Sequence, residues 1–261
     1  MRPPISSCII TLNEEENLRD CLTSVGWTDE IAVVDSGSTD RTLEIAREFT
    51  DRVIHHEWHG INAQRNYALT EASHEWVLCL DADERITPEL RDEIKRRLET
   101  EADTTQGYRV RRRTYFLDRW ILHGGWYPDW KIRLFRKSKS RFVGMDPHDL
   151  PQVDGAVRDL AGEIVHYSSP DLSRFLRKID SFSGTVARNW AKEGERFRLI
   201  EMLVRPPWKW VETYLLKRGF MDGVPGLIIS VGSAYYVFLK YAKLWELQRR
   251  KRPEESDRNG D

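Results

Sequence analysis

The sequence predicts an α/β domain built on a mostly parallel, doubly wound sheet, followed by an amphipathic helical extension. Three observations carry that prediction. Short apolar runs alternate with helical repeats over residues 5–99, several of those runs end abruptly in polar clusters, and the chain past Arg205 becomes helical, aromatic and basic. Strands alternating with helices of this length imply parallel pairing through right-handed crossovers.

Ile5–Thr11 (ISSCIIT) is the first expected strand. Asn13 is expected to cap the next helix, with Glu16 three residues later and Leu18, Cys21, Leu22 and Val25 at helical spacing. Glu30–Asp35 is a second buried run, Ser36–Asp40 makes the turn with Ser38 as the expected cap, and Thr42, Ile45, Ala46 and Phe49 form an apolar stripe. A third strand over Arg52–His55 and a third helix over Asn62–Ala72, carrying Gln64, Arg65 and Asn66, follow. The fourth strand, Trp76–Leu80, is apolar throughout and stops at Asp81, Asp83 and Glu84. Thr87 and Pro88, a cap and a first-turn proline, then open a charged helix to about Glu99.

In open α/β sheets ligands bind beyond the carboxyl ends of the strands. The polar strand ends therefore predict one crevice lined by Asn13, Glu14, Asp35, Ser36, Asp81 and Asp83. Asp81 and Asp83, one residue apart, offer hard oxygen ligands to a small cation, which usually takes one or two carboxylates plus substrate phosphates.

From Gly107 longer strands are expected, Gly107–Leu117 and Lys131–Arg136, around a loop with two adjacent glycines and four aromatics, and these should extend the sheet and cover the crevice. Residues 1–170 thus form the first domain, with a second half from about 107; residues 171–252 form the helical extension, and 253–261 a disordered tail. From Arg205 to Arg252 ten Lys/Arg stand against three acids, and Val224–Leu239 carries no charge. As a helix those 16 residues reach roughly 24 Å, short of a ~30 Å hydrocarbon core, so an interfacial helix pair on an anionic membrane surface is expected rather than a crossing.

The formal net charge of −1 gives no field to draw the chain to nucleic acid. Cys8, Cys21 and Cys79 lack metal-ligand spacing and read as buried thiols. The first residues run straight into a strand pattern without an apolar signal segment, which predicts a cytoplasmic catalytic body. His55, His56 and His59 read as solvated histidines, and the arginines of 109–113 should split between the two faces of a strand. Neither G-x-G-x-x-G nor G-x-S-x-G is present, which argues against a dinucleotide oxidoreductase and an α/β hydrolase.

In order and rough spacing, Ile9–Glu15 (IITLNEE), Val33–Asp40 (VVDSGSTD), Gln64-Arg65-Asn66 and Leu80–Glu84 (LDADE) resemble the motifs of family 2 inverting glycosyltransferases. Gly124–Asp129, Arg133–Arg136 and Pro147-His148-Asp149 are similar to the branch that includes lipopolysaccharide core glucosyltransferases. The resemblance covers about residues 5–170 and implies the nucleotide-diphospho-sugar transferase (GT-A) fold. It further implies a nucleoside diphospho-sugar donor, usually UDP-linked, and a saccharide or lipid-linked acceptor of the cell envelope. By the same resemblance Thr11, Asn13 and Glu14 line the nucleoside pocket, Asp35 accepts from the base, a uracil imide in the usual case, Ser36 beside it belongs to the donor site, and Arg65 approaches the diphosphate or the base. Asp83, helped by Asp81, holds Mg²⁺ or Mn²⁺. An inverting transfer needs a carboxylate to take the acceptor proton. Asp149 is the first choice for that base and Asp129 the second. The sequence departs from the family pattern at Thr11, often a proline, and at His148-Asp149, commonly Glu-Asp. The alternatives are a non-catalytic sugar-nucleotide or polysaccharide-binding membrane scaffold, and a nucleotidylyltransferase of related fold.

Overall fold

The computed structural model describes residues 2–101, 104–144 and 150–256. The chain divides into two compact units, Met1–Tyr115 with Pro128–Ser168, and Phe116–Tyr127 with Ser169–Asp261.

In chain order the elements as far as Ser169 are β1 (Ile5–Thr11), α1 (Leu18–Val25), β2 (Glu30–Asp35), α2 (Thr42–Arg47), β3 (Val53–His55), α3 (Ile61–Glu71), β4 (Trp76–Asp81), β5 (Glu84–Ile86), α4 (Pro88–Glu101), β6 (Gly107–Phe116), β7 (Arg119–Ile121), β8 (Asp129–Arg136), β9 (Ser140–Val143), β10 (Leu150–Val153) and β11 (Val157–Ser169). The main sheet runs β3-β2-β1-β4-β8-β6-β11-β5, while β9 and β10 form a separate antiparallel pair. The first four strands are parallel, with Ile9 between Val33 and Leu80 in the register. Past β4 the pairing reverses: β8 lies antiparallel to both β4 and β6, and β11 antiparallel to β5. The sheet is therefore mixed and flanked by helices, a GT-A-type sheet.

Strand parity explains why the central strands are apolar on both faces. Ile5, Ile9, Val33, Trp76, Leu78 and Leu80 pack in one core with Leu18 and Leu22 of α1 and Leu90 and Ile94 of α4. Their alternates Cys8, Ile10, Ala32, Val34, Val77 and Cys79 pack on the opposite side with Ala68 and Leu69 of α3. Burial, opposed by the nearby Arg65 and Arg133 guanidiniums, pushes the Cys79 thiol up to about 11, and Cys8 and Cys21 are raised by burial too, so the buried cysteines stay protonated. At Gly162 a Cβ would sit 2.7 Å from Leu90 Cα, so this glycine lets β11 lie directly on α4.

Two expected caps are replaced by loop-to-loop bonding. Asn13 does not cap α1; it adopts a left-handed φ of 52° and serves the neighbouring turn, while Asn17 precedes the helix. Ser38 does not cap α2 either; Arg41 stands at the cap position without a side-chain cap bond, and Asp40 Oδ1 just before it accepts from Thr42 N at 3.0 Å. The loop after each strand is longer than the helical periodicity indicated, and its polar side chains are consumed in bonding one loop to the other.

In the second unit, α5 (Leu172–Lys192) is capped by Asp171, whose carboxylate accepts from Arg174 N at 2.7 Å. α6 (Leu199–Trp210) contains Pro206 and Pro207, which remove backbone donors, and passes into a π turn over Val211–Leu216. A 3₁₀ turn, Gly219–Asp222, leads into α7 (Gly223–Ser256), a single helix where a shorter one was expected. Phe116, Ile121, Phe175, Ile179 and Ile229 make this unit's core. Among the described residues, the stretch Gly219–Arg250 is long and apolar enough to cross a membrane by length and composition.

Candidate active site

The parallel register brings Thr11, Asp35 and Asp81 to adjoining strand ends, since Thr11 pairs with Asp35 and Ile10 with Asp81. Around the first two, the loops are bonded to each other. Asn13 Oδ1 accepts from Thr39 N at 2.8 Å, Asn13 N donates to Ser38 Oγ at 2.8 Å, and Glu14 N donates to Thr42 Oγ1 at 2.9 Å. Asp35 is 1% exposed and accepts from Gly37 N at 2.8 Å, Ser38 N at 2.9 Å and Ser38 Oγ at 2.5 Å. Its carboxylate thus shapes the turn at the base of the nucleoside pocket that the resemblance implies. Ser36 N donates to the Thr11 carbonyl at 3.1 Å, and Thr11 Oγ1 is buried with no hydrogen-bond partner among the described residues.

The motif residues of α3 part company. Gln64 is fully buried and bonds His56, a half-buried residue whose ring stacks on Tyr67 at 3.9 Å, whereas His55 and His59 are exposed as expected. Asn66 pins β9, donating to Phe142 O at 2.9 Å and accepting from Phe142 N at 2.8 Å. Arg65 alone reaches the sheet end and grips Asp81 at 2.6 and 2.8 Å.

From Asp81 an alternating chain of charges crosses β4, β5, β8 and β6. Arg133 joins Asp81 at 3.0 Å to Glu84 at 2.7 Å; Arg112 joins Glu84 at 3.0 Å to Asp129 at 2.7 Å; Lys131 lies 3.2 Å from Asp129. Both ends of the series Arg65–Asp81–Arg133–Glu84–Arg112–Asp129–Lys131 are cationic, so four cations against three carboxylates leave one positive charge over. Glu84 is fully buried and Arg133 only 3% exposed, so unmatched charge here would be costly. Burial opposes the charge on Asp81, but the Arg65 and Arg133 guanidiniums outweigh it and hold the carboxyl well below its usual range. Asp129 is likewise lowered against its burial by Arg112 and Lys131, and Lys131 is lowered by burial and by Arg112 beside it.

Asp83 belongs to a different setting from Asp81. The antiparallel ladder of β11 on β5 sets His166 opposite Glu84, and its Nε2 comes to 3.3 Å from Asp83 Oδ2. Thr114 Oγ1 lies 3.1 Å from the other ring nitrogen, Nδ1. Two tautomers serve this contact: with Thr114 donating to Nδ1, Nε2–H faces the Asp83 carboxylate, and with Nδ1–H donating to Thr114, Nε2 is left able to ligate a metal beside Asp83. Among the described residues no cluster of three or more protein ligands exists. A carboxylate–imidazole pair still fits a divalent ion that draws its remaining ligands from donor phosphates and water.

His148 and Asp149, the latter the first choice for the base, lie outside the described residues. Sequence reasoning missed His166, Arg112 and Arg133. His166 shares inward strand parity with Leu160 and Ile164, and Arg112 the opposite parity from Arg109, Arg111 and Arg113. A lone polar residue at an inward position was the available signal.

The model of the family described as "Glycosyl transferase family 2" matches residues 6–158. A lipopolysaccharide core biosynthesis glycosyltransferase, LpsC of Rhizobium meliloti, is 30% identical over 93% of this chain and 92% of its own length. An uncharacterised glycosyltransferase of Rickettsia typhi is 31% identical over 95% of this chain and 89% of its own. Among solved structures, S. aureus TarS 1-349 in complex with UDP-GlcNAc aligns over 95% of this chain and 92% of its own, at 14% identity and a TM-score of 0.49. The family model spans more than half of the chain, and the LpsC relative extends the likeness over nearly all of it: this protein belongs to glycosyltransferase family 2.

Proposed function

We propose that this chain moves a sugar, with inversion, from a UDP-linked donor to a lipid-linked saccharide of the cell envelope such as lipopolysaccharide core, on the cytoplasmic side of the membrane. The observation that carries the reading is the juxtaposition at one sheet edge of a cation-terminated charge chain and the Asp83–His166 pair. The departing group is a diphosphate that gains negative charge as the glycosyl bond breaks, and preorganised cations in a partly desolvated site stabilise such charge most. Arg65, already oriented by Asp81, and Lys131, oriented by Asp129, are the outer members of that array.

Asp83 and His166 would hold Mg²⁺ or Mn²⁺, which when bound supplies positive charge against the diphosphate oxygens. Asp81 is then a positioning residue: it holds Arg65 and Arg133 and is only 23% exposed itself. Thr11, Asn13, Glu14, Asp35 and Ser36 would form the nucleoside end, in keeping with the inter-bonded loops they build, in which Thr11 and Asp35 are buried and Asn13 is exposed. The acceptor hydroxyl loses its proton to a carboxylate. Asp129, lowered by two cations, is a weak proton acceptor, which favours Asp149 for that step.

A screen of UDP-, GDP- and TDP-sugars, read by nucleotide release with and without Mn²⁺ and an envelope extract, tests the proposal. Release from a UDP-sugar only with metal and extract is the expected result. Intact donors under every condition would favour a binding scaffold instead.

A further inference from the structure

The junction of α6 and α7 presents an apolar tip that the transfer reaction does not use. Leu215, Leu216, Phe220, Met221 and Val224 are between 48% and 69% exposed there. Such side chains at the end of a frayed loop would mean little, but this tip is built. A Cβ at Gly219 would lie 2.7 Å from the Thr213 carbonyl oxygen, and one at Gly226 would collide with the Gly219 carbonyl. Beneath them Asp222, 3% exposed, accepts from His123 N at 2.8 Å and His123 Nδ1 at 2.9 Å. The backbone of the tip is therefore held from inside while its large side chains face out.

Along α6 the same character continues. Leu199, Ile200, Leu203, Val204 and Trp208 are each more than half exposed. Cations are interleaved with them: from Arg196 to Arg218 the chain carries six Lys/Arg against Glu201 and Glu212. Arg198 and Arg205 lie 3.7 and 3.5 Å from Glu201, and Lys209 and Lys217 share Glu212, so the excess is positive even after local pairing.

We propose that the α6–α7 tip inserts into one leaflet of an anionic lipid surface, as a monotopic anchor. Exposed aliphatic and aromatic residues among cations are the composition of an interfacial segment. A second copy of this chain is a poorer occupant, because a two-fold contact through this face would set the same positive excess against itself. Nor is α7 a free spanning helix. It packs along α5 and α6, and Lys243 on it is tied to Asp180 Oδ1 at 2.7 Å and Ser183 Oγ at 3.0 Å of α5, an attachment suited to protein rather than to lipid.

Flotation of the full chain with phosphatidylcholine vesicles, with and without phosphatidylglycerol, tests the anchor. The wild type should float with the anionic vesicles, and the triple variant Leu216→Glu/Phe220→Glu/Met221→Glu should lose roughly tenfold or more of that binding with an unchanged melting temperature. Phe220→Cys carrying a polarity-sensitive dye should shift to the blue on anionic vesicles only; the three native cysteines are buried and will not label. Two results would overturn the proposal. One is a wild type that stays in solution and elutes as a dimer which the triple variant converts to monomer. The other is a triple variant that still floats and resists alkaline extraction, the behaviour of a spanning helix.

Discussion

Replacing Arg133 by Met tests the charge chain at its middle. Arg133 is 3% exposed and sits 2.7 Å from Glu84, which has no exposed surface, and 3.0 Å from Asp81. Methionine keeps the unbranched apolar stem of the side chain and removes the guanidinium, so two carboxylates lose one partner each. Arg112 at 3.0 Å still serves Glu84, and Arg65 at 2.6 Å still serves Asp81. Breaking a buried ion pair from one side costs about 3–5 kcal/mol, and the surviving partners put this case toward the lower end. For a chain of this size about 3 kcal/mol corresponds to a fall in melting temperature of roughly 6–12 °C. The pH dependence carries the sign. Asp81 is held below its ordinary value of 3.8, so its pairing contributes stability above that value, and the contribution is lost as pH falls through the lower folded value. In the variant Asp81 takes up its proton at higher pH than in the wild type. The stability gap should therefore be full at neutral pH and narrow in acid once the pH falls through the variant's folded value, which lies above that of the wild type. Urea titrations of both proteins from neutral pH down to about pH 3 measure the gap directly. A gap under about 1 kcal/mol at neutral pH, or one that does not narrow in acid, would refute the reasoning about buried pairing.

The remaining predictions concern the site and one packing contact. Asp83→Ala and His166→Ala should each abolish the Mn²⁺-dependent part of UDP binding in calorimetry, whereas Thr114→Val should weaken metal affinity by about 10–100-fold through loss of the ring's orientation; unchanged affinity in His166→Ala would remove it from the site. Asp149→Asn should leave donor binding intact and lower transfer by about 10²-fold or more, and near-normal turnover would pass the base role to Asp129. Gly162→Ala places a methyl 2.7 Å from Leu90 Cα and should cost about 1–3 kcal/mol in thermal denaturation with little effect on UDP affinity.

The sequence by itself determined the parallel half of the sheet and which polar strand ends lie side by side. Apolar runs such as Trp76–Leu80 leave few alternatives to a strand buried on both faces, and the acids at their ends follow from covalent order. Motif order likewise identified the family, since Asn13, Asp35, Arg65 and Asp81 recur along one chain at related spacing. Tertiary structure alone decided which partners the two acids of Asp81-Ala82-Asp83 meet. Asp81 meets arginines from α3 and β8, and Asp83 meets a histidine from β11, residues far away in the chain. For Arg133 and His166 that division depends on antiparallel registers, in which a shift of one residue would turn the side chain to the other face. Local periodicity records which face a residue takes, not which strand will lie beside it, and so the partners of the acids became legible only in the folded sheet.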